Sequence, residues 1–365
     1  MKFPGTSLFL FVMLTAASQT ASAISPADTG ALSFSFRNYN FVKDNEYSNP
    51  ITEGYTLIGY FIQPSVVYSP AEKFRLSLGL QLMNYSGAEK IRAPRLIFST
   101  SYRFSKRSVI LLGSFEGSDR HRMYDQQFSR ERTYTANMEN GLRVYSEGER
   151  FFNDTWVNWE NFIFRGDTTR EVFEVGESFC YSSPHSGSGF NIELPVQVYA
   201  KHKGGQISNY NQYVETFLNM SAGLRVNYLF DNGRYGRLAG EYQQFRFQYI
   251  SPHGDIGIRN GNAGLLAIHY YIRSFHYTSS LWHSHNFYAP DGNQFYSSIS
   301  ERFPGTFIHS RSILTNSVYF TIHPASFFEL FAGVDTYWDL EREDLDIALS
   351  LHLAFNRFIR IASTH

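Results

Sequence analysis

The sequence lacks the features by which several classes of protein are identified. Its 365 residues include one cysteine, Cys180, which excludes an internal disulfide framework and a cysteine-ligated metal site. Lys and Arg total 32 against 33 Asp and Glu, so the charge balance gives no support to nucleic acid binding. The GxGxxG and P-loop phosphate motifs are also missing. We therefore expect no cofactor, no bound metal and no nucleic acid partner.

Long apolar runs are scarce, and the one near the N-terminus is too short to cross a bilayer as a helix. Leu8 to Ala17 is largely apolar over ten residues, whereas a membrane-spanning helix needs about 20. Lys2 precedes this run and the small-residue triplet Ala21-Ser22-Ala23 follows it, a combination typical of a secretory signal peptide. We predict a signal peptide over residues 1–23 and one exported domain over residues 24–365.

Aromatic residues are abundant, and apolar residues recur at every second position over long segments. Phenylalanine and tyrosine number 34 and 25. The alternating segments include Phe74 to Leu82, Phe190 to Val198, Leu218 to Phe230 and Ile347 to Phe355. A spacing of two places the apolar members on one face of a β-strand. A soluble β-sandwich alternates too, but with shorter strands, whereas these segments reach the about 9–11 residues that a tilted membrane strand needs.

Strands that cross lipid must form a closed barrel, because open edges would leave backbone groups without hydrogen-bond partners in hydrocarbon. Turn signals divide the chain into about sixteen strands, within a range of about 14–18. Short connections such as Ser69 to Glu72 alternate with longer ones at 42–53, 84–94, 116–139, 201–215, 250–262 and 286–310. In outer-membrane barrels the short turns are periplasmic. The predicted fold is all-β: a closed antiparallel transmembrane β-barrel.

With its signal peptide, its alternating strands and its short turns opposite long loops, the mature chain resembles bacterial outer-membrane porins over nearly its whole length. Many porins have a third long loop that folds inward and narrows the pore. The resemblance implies such a constriction in the third long loop of this chain, residues 116–139. The charged candidates in this loop are Glu116, Asp119, Arg120, Arg122, Asp125, Arg130, Glu131 and Arg132.

Charged residues also occur at the polar positions of the alternating segments, which would face the lumen of a barrel. These pore-lining candidates are Arg75, Arg95, Arg103, Glu193, Arg225, Glu329 and Asp335. Rings of charge set which solutes a channel passes. Because both signs are present, we expect no strong preference for anions or cations. The alternative interpretation is that these side chains form ion pairs that stiffen the wall.

Histidines and tryptophans are the remaining residues with a candidate role. His283-Ser284-His285 places two imidazoles on one strand face, but this H-x-H pattern is a weak indication of metal binding. The His-x-Ser pair of barrel lipid deacylases is missing, and the nearest match is His276-Tyr277-Thr278. We therefore expect that the chain is not an enzyme. We interpret the four tryptophans as interface anchors, with a lumenal aromatic surface as the alternative: Trp156, Trp159, Trp282 and Trp338.

The function expected from the sequence is that of a porin-like channel in the outer membrane of a Gram-negative bacterium. It would let small polar solutes diffuse through a loop-constricted lumen. Its other partners would be outer-membrane lipid and the barrel assembly machinery. The sequence does not decide whether the protein forms a homo-oligomer. The alternatives are a structural, assembly or adhesion barrel that acts through its long external loops, and an outer-membrane lipid-modifying enzyme.

Overall fold

The computed structural model describes residues 29–89, 92–184, 189–205, 207, 209–254 and 256–363. The predicted signal peptide, residues 1–23, lies outside these ranges. Within them, sixteen antiparallel strands form one closed barrel in which the first strand pairs with the last. The fold class and the strand number predicted from the sequence are confirmed. Among the described residues, no helix combines the length and apolarity that a membrane span requires.

The strands are long and follow one another around the wall in chain order. They are β1 (Ala31–Glu46), β2 (Tyr55–Ala71), β3 (Phe74–Tyr85), β4 (Arg92–Ser105), β5 (Ser108–Glu116), β6 (Met138–Glu147), β7 (Phe151–Asn161), β8 (Glu171–Ser182), β9 (Phe190–Gly204), β10 (Glu215–Leu229), β11 (Arg237–Tyr249), β12 (Asn260–Ile272), β13 (Phe275–His285), β14 (Ser310–Ala325), β15 (Phe328–Asp339) and β16 (Asp344–Ser363). A single α-helical turn, α1 (Arg132–Thr135), lies between β5 and β6 among the described residues.

The two ends of the barrel differ in the length of their connections. One end, called the turn end, has connections as short as 72–73, 106–107 and 273–274. The other, called the loop end, has two connections of more than twenty residues, 117–137 and 286–309. We name these the inner loop (117–137) and the cap loop (286–309). Both chain termini of the barrel lie at the turn end.

Alternation along each strand decides which side chains face lipid and which face the lumen. On β3, Leu78 is 56% exposed on the outer face, whereas Gln81 is 4% exposed on the inner face. Because a strand turns successive side chains to opposite faces, the leucines of β3 form part of the apolar wall. Its polar residues line an interior that, in a barrel of this size, is too wide for wall side chains alone to fill.

The cap loop fills part of that interior with aromatic side chains. Phe287 and Phe295 of this loop pack against Trp282 of β13, Phe245 of β11 and Tyr337 of β15. Trp282 and Phe295 are completely buried, and burial of a ring of this size contributes about 2 kcal/mol or more. The aromatic cluster therefore anchors the cap loop inside the loop end of the barrel.

Candidate functional site

The inner loop crosses the lumen and contacts strands far from its own. The hydroxyl of Tyr124 contacts Glu241 on β11, and its backbone N–H donates to Gln197 of β9 at 2.9 Å. On the other side, Asn45 of β1 donates to Glu131 at 2.9 Å. The loop begins at Gly117, where an added Cβ would lie 1.9 Å from Glu139 Oε1. A side chain at position 117 would therefore displace the Glu139 carboxylate where the chain turns inward.

His121 attaches the start of the inner loop to the barrel wall. Its Nδ1 lies 2.9 Å from Asp154 and its Nε2 lies 3.1 Å from Glu139, while its ring stacks on Trp156 at 3.5 Å between centroids. Burial alone would lower the pKa of His121, but the Glu139 and Asp154 carboxylates outweigh it, so the pKa is raised. Both ring nitrogens are occupied and the side chain is completely buried. His121 therefore acts as a structural cation.

A second buried network joins the inner loop to the cap loop. Arg132 donates to Asp291 at 2.7 Å, and it lies 3.1 Å from Glu174. Lys201 lies 2.8 Å from both Asp291 and Glu160. Glu160, Glu174 and Asp291 converge closely enough to hold a metal ion. Because the Arg132 guanidinium and the Lys201 ammonium group each pair with all three carboxylates, the arrangement is an ion-pair network across the lumen.

The seven pore-lining candidates all lie at inward positions of their strands. Glu193 and Arg225 form an ion pair of 3.0 Å, whereas Glu329 and Asp335 line one lumenal cavity and Arg75 lines another. Arg95 donates to the backbone oxygen of Met138 at 3.3 Å. Arg95 and Arg103 share the inward face of β4 with Ile97 and Ser99, which line the same cavity as Arg75. The structure distributes these side chains around the lumen and does not collect them at one site.

The constriction candidates lie inside the barrel, where some of them form two groups and the others have separate partners. Glu116 contacts Arg37 of β1 and pairs with Arg120 at 3.2 Å. Asp125 accepts from Asn293 of the cap loop at 2.7 Å, and Arg130 lies over the ring of Tyr319. The other members take separate partners: Arg122 pairs with Glu147, Glu131 with Asn45, Arg132 with Asp291, and Asp119 lines a cavity together with Arg130.

Among the residues that the structure describes, three pairs of adjacent strands bring a histidine ring against a hydroxyl group. In each pair Nδ1 lies 2.9 Å from the hydroxyl oxygen: His202 with Thr216, His269 with Thr278, and His283 with Ser312. A hydroxyl group held against an imidazole is the arrangement in which a nucleophile is activated by a general base. The three pairs are therefore the candidates for chemistry in this barrel.

The pair on β12 and β13 faces the lumen and belongs to a longer hydrogen-bonded chain. His269 Nε2 lies 3.0 Å from Glu241, and the Thr278 hydroxyl also lies 2.9 Å from His276. Arg225 pairs with the same carboxylate at 2.9 Å. Hydroxyl, imidazole and carboxylate thus form a continuous hydrogen-bonded chain, which lies on the lumenal side of the wall.

The pair on β13 and β14 lies on the outer face and has a carboxylate beside it. His283 and Ser312 are opposite each other in the register of the two strands. Glu341, in the connection between β15 and β16, accepts the backbone N–H of Ser312 at 2.6 Å. Burial alone would raise the pKa of Glu341, but the hydrogen bonds from Ser312 and the proximity of His283 lower it. Glu341 is therefore ionised at neutral pH.

This outer-face group lies at the loop-end margin of the apolar wall. Toward the turn end, most outward residues of the same strands are apolar, among them Leu281, which is 40% exposed, and Val318, with Ser279 and Asn316 as polar exceptions. Trp338 of β15, also exposed, lies level with Leu314, one outward position below Ser312. Aromatic residues of this kind mark the membrane interface in outer-membrane barrels. The hydroxyl, imidazole and carboxylate groups are thus placed where the acyl chains of a bilayer lipid meet its polar part.

The sequence identified parts of these sites and missed others. His283 was noted for the H-x-H pattern, but its neighbour His285 plays no part in the pair with Ser312. Neither Ser312 nor Glu341 has a local signal, because both come close to His283 only through strand register. His121 was missed although Asp119, Arg120 and Arg122 beside it were named, and a histidine within a charged inner loop was the available signal.

Solved porin-like structures are similar to the barrel as a whole. A loop-deletion mutant of the outer membrane protein OmpT from Vibrio cholerae shares 10% identity, with 90% of this chain and 100% of that chain covered and a TM-score of 0.50. OccAB3 of Acinetobacter baumannii shares 9%, with 90% and 99% covered and a TM-score of 0.50. OprB of Pseudomonas putida shares 10%, with 90% and 94% covered and a TM-score of 0.50. These relatives share the fold and are consistent with the predicted location in the outer membrane.

Sequence comparison gives a more specific result than the fold. No curated protein matches the sequence, but the family model described as lipid A 3'-O-deacylase-type matches residues 24–364. The expectation that the chain is not an enzyme is therefore wrong, because its family is described by a hydrolytic activity. That expectation rested on a motif sought along the chain, whereas the His–hydroxyl pairs form across strands. The chain belongs to the lipid A 3'-O-deacylase-type family.

Proposed function

We propose that this protein is an outer-membrane hydrolase that removes an acyl chain from an ester of a membrane glycolipid of the lipid A type. The observation that carries the proposal is the family match over residues 24–364. The geometry supports the proposal, because the hydroxyl of Ser312 contacts the imidazole of His283 and the backbone of Ser312 contacts the carboxylate of Glu341 on the outer face.

In the proposed reaction, Ser312 is the nucleophile and His283 is the general base. The Ser312 oxygen attacks the acyl carbonyl while its proton passes to His283 Nδ1, 2.9 Å away. The glycolipid alcohol leaves with that proton, and the acyl group stays on Ser312. Water then attacks the acyl-serine, again with His283 as base, which releases the fatty acid and restores the serine. The ionised Glu341 stabilises the positive charge on the imidazole during both steps.

The surroundings of the group suit a lipid substrate. Leu281 and Leu314 provide an apolar surface next to the serine, along which an acyl chain can lie. The ester of such a lipid lies at the boundary between its chains and its polar part, and Trp338 marks that boundary on the wall. The lumenal Thr278 has a more complete set of partners, but it faces the polar interior.

The test is fatty acid release from lipid A by the purified full-length protein in mixed micelles, measured by mass spectrometry. The wild type is expected to release one acyl chain. Ser312→Ala and His283→Gln are each expected to lower the rate by at least about a hundredfold. Glu341→Gln, which keeps its shape but removes the charge, is expected to lower it by about tenfold or more.

Two other histidine–hydroxyl pairs of the same barrel supply matched controls. Thr216→Val removes the hydroxyl of the other outer-face pair and should leave the rate unchanged. Thr278→Val tests the lumenal pair in the same way. Loss of activity in Thr278→Val with full activity in Ser312→Ala would move the site into the lumen. No fatty acid release by the correctly folded wild type would contradict the proposed function itself.

Passive diffusion of small polar solutes is the second candidate function. It is supported by the sixteen-strand wall, since barrels of this size enclose an aqueous lumen. The inner loop and the cap loop meet inside that lumen, where Asp291 pairs with Arg132 and Lys201. Single-channel conductance in planar bilayers tests this function independently of fatty acid release.

A further inference from the structure

Two cavities that differ in charge lie in the part of the lumen that the structure describes. One, of about 500 Å³, is lined by Asp119, Asp125, Glu329 and Asp335 among other residues, and we call it the acidic cavity. The other, of about 620 Å³, we call the cationic cavity. The inner loop separates them, because Asp119 lines the first and the adjacent Arg120 lines the second.

The charged side chains that line the cationic cavity are mostly arginines. Its arginines come from four places in the chain: Arg37 on β1, Arg75 on β3, Arg120 on the inner loop and Arg143 on β6. The single carboxylate in this lining is Glu116, which Arg37 and Arg120 share. Arg143 is itself paired with Asp154 at 2.7 Å, so four guanidinium groups meet two carboxylates. This excess of cationic groups gives the cavity a positive potential, and its low-dielectric walls strengthen that potential.

The rest of the lining combines hydrogen-bonding side chains with apolar ones such as Leu111 and Phe115. Gln63 and five serines, at positions 35, 65, 77, 99 and 114, face the cavity from β1 to β5. A volume of about 620 Å³ falls within the range of pockets for small organic ligands. Guanidinium groups bind phosphate in a bidentate manner, and hydroxyl groups suit the oxygens of a sugar or glycerol. The chemistry therefore fits a small polar molecule that carries a phosphate group.

The position of the cavity indicates where such a molecule would come from. Arg75 and Val109 are the second residues of β3 and β5, directly after two of the short turns. The inner loop covers the other side, where Arg120 and Glu116 meet. Short turns of outer-membrane barrels face the periplasm. The cavity thus opens toward the periplasmic end.

We propose that the cationic cavity is a binding site for a phosphomonoester of a small polar solute that enters from the periplasmic end. The site is separate from the outer-face group of Ser312, and it does not depend on the proposed hydrolase activity. Lipid headgroups carry the same phosphate group, so the experiment includes a separate measurement with a lipid phosphate.

The experiment is isothermal titration of the purified full-length protein in detergent with a hexose phosphate. Unphosphorylated hexose and inorganic phosphate are titrated in parallel. We expect binding of the hexose phosphate that weakens as salt is raised, weaker binding of phosphate alone, and no heat with hexose. Arg75→Gln is expected to raise the Kd by about tenfold or more. Arg75→Lys, which keeps the charge without the planar fork, should give an intermediate Kd.

Arg273→Gln is the matched control, because Arg273 is a turn-end arginine that lines the acidic cavity. Its Kd should equal that of the wild type, and heat-modifiable migration on gels shows that each variant is folded. Equal weakening by Arg273→Gln and Arg75→Gln, or the absence of any binding to the wild type, would overturn the site. Displacement of the hexose phosphate by a short-chain phosphatidate at lower concentration would overturn the assignment to a small solute.

Discussion

At the scale of single residues, His121 shows how one protonation state holds a long loop inside the barrel. Each of its ring nitrogens faces a carboxylate, Asp154 or Glu139, and the ring is fully buried against Trp156. An imidazolium can donate to both carboxylates, whereas a neutral ring can donate to only one. Loss of the proton would leave a buried carboxylate facing a lone pair, so the contact is stable only in the charged form.

The first prediction concerns the pH dependence of this contact. The pKa of His121 is raised above 6.5 in the folded protein. Its contribution is therefore fully present below the unfolded-state value and is lost as pH rises through the folded value. His121→Gln is expected to lower the free energy of unfolding by about 3 kcal/mol at pH 6. In urea unfolding experiments, the difference in the free energy of unfolding between the variant and the wild type should become smaller at higher pH. A difference that is constant with pH would contradict the structural role of the charged imidazole.

The residues of the outer-face group could not be predicted from the sequence, and the reason is geometric. His283 and Ser312 are separated by the cap loop and meet because they are opposite in the register of β13 and β14. Glu341 approaches from yet another connection. A motif read along the chain detects partners on one strand or one helical turn. It does not detect partners whose distance is set by the pairing of two strands across a long loop.

At the scale of elements, β7 and β8 carry polar residues on the face that meets lipid. Asn153, Thr155 and Glu177 are at outward positions of these strands, and the Thr155 hydroxyl donates to the Glu177 carboxylate. Glu177 lies midway along β8 between the outward aromatic residues Phe173 and Tyr181. Ionisable groups at this depth are destabilising unless they are paired.

The second prediction follows from this arrangement. Replacing Glu177 with Leu and Thr155 with Val together removes both partners, so no polar group is left unpaired in lipid. The double variant is expected to be more stable than the wild type by about 1 kcal/mol in lipid vesicles. Thr155→Val alone should be less stable than the wild type, because it leaves the Glu177 carboxylate without its hydrogen-bond donor. The measurement is urea unfolding followed by tryptophan fluorescence, and a less stable double variant would contradict the lipid-facing assignment.

Alternation predicts the orientation of a strand well when one face is apolar and the other polar. It predicts the orientation poorly when both faces mix apolar and polar residues. β3, with leucines on one face, was predicted with its correct orientation. On β7 the inward face contains Asp154, Trp156 and Asn158, whereas the outward face contains Thr155 and Trp159. Each face carries a tryptophan among polar residues, so the pattern alone does not show which face of β7 meets lipid. Trp156 and Trp282 proved to be buried inside the barrel, and only Trp159 and Trp338 have the outward position expected of interface anchors.

At the scale of the whole molecule, closure of the barrel could be predicted from the sequence alone. Sixteen long strands with an apolar face must satisfy their backbone hydrogen bonds internally. The path of the inner loop has no such rule, because it depends on contacts such as that of Tyr124 with Glu241. These partners lie more than a hundred residues apart. The wall was therefore predictable, and the contents of the lumen were not.

The third prediction concerns the ion conductance of the intact molecule. In the full-length chain the inner loop and the cap loop meet across the lumen through Arg132 and Asp291. Deletion of residues 118–136 removes this contact and is expected to raise single-channel conductance in planar bilayers several-fold. The control is the full-length protein inserted under the same conditions. Equal conductance of the two proteins would show that the loop does not limit passage through the lumen.

The most direct test of the account is the mass spectrum of lipid A extracted from outer membranes that contain this protein. We predict that the wild-type protein yields lipid A lighter by one ester-linked acyl chain. With Ser312→Ala, present in the membrane at the same level and heat-modifiable on gels, the lipid A should keep that chain. Identical lipid A spectra from membranes with the wild type and membranes without the protein would contradict the proposal that this barrel is a lipid hydrolase.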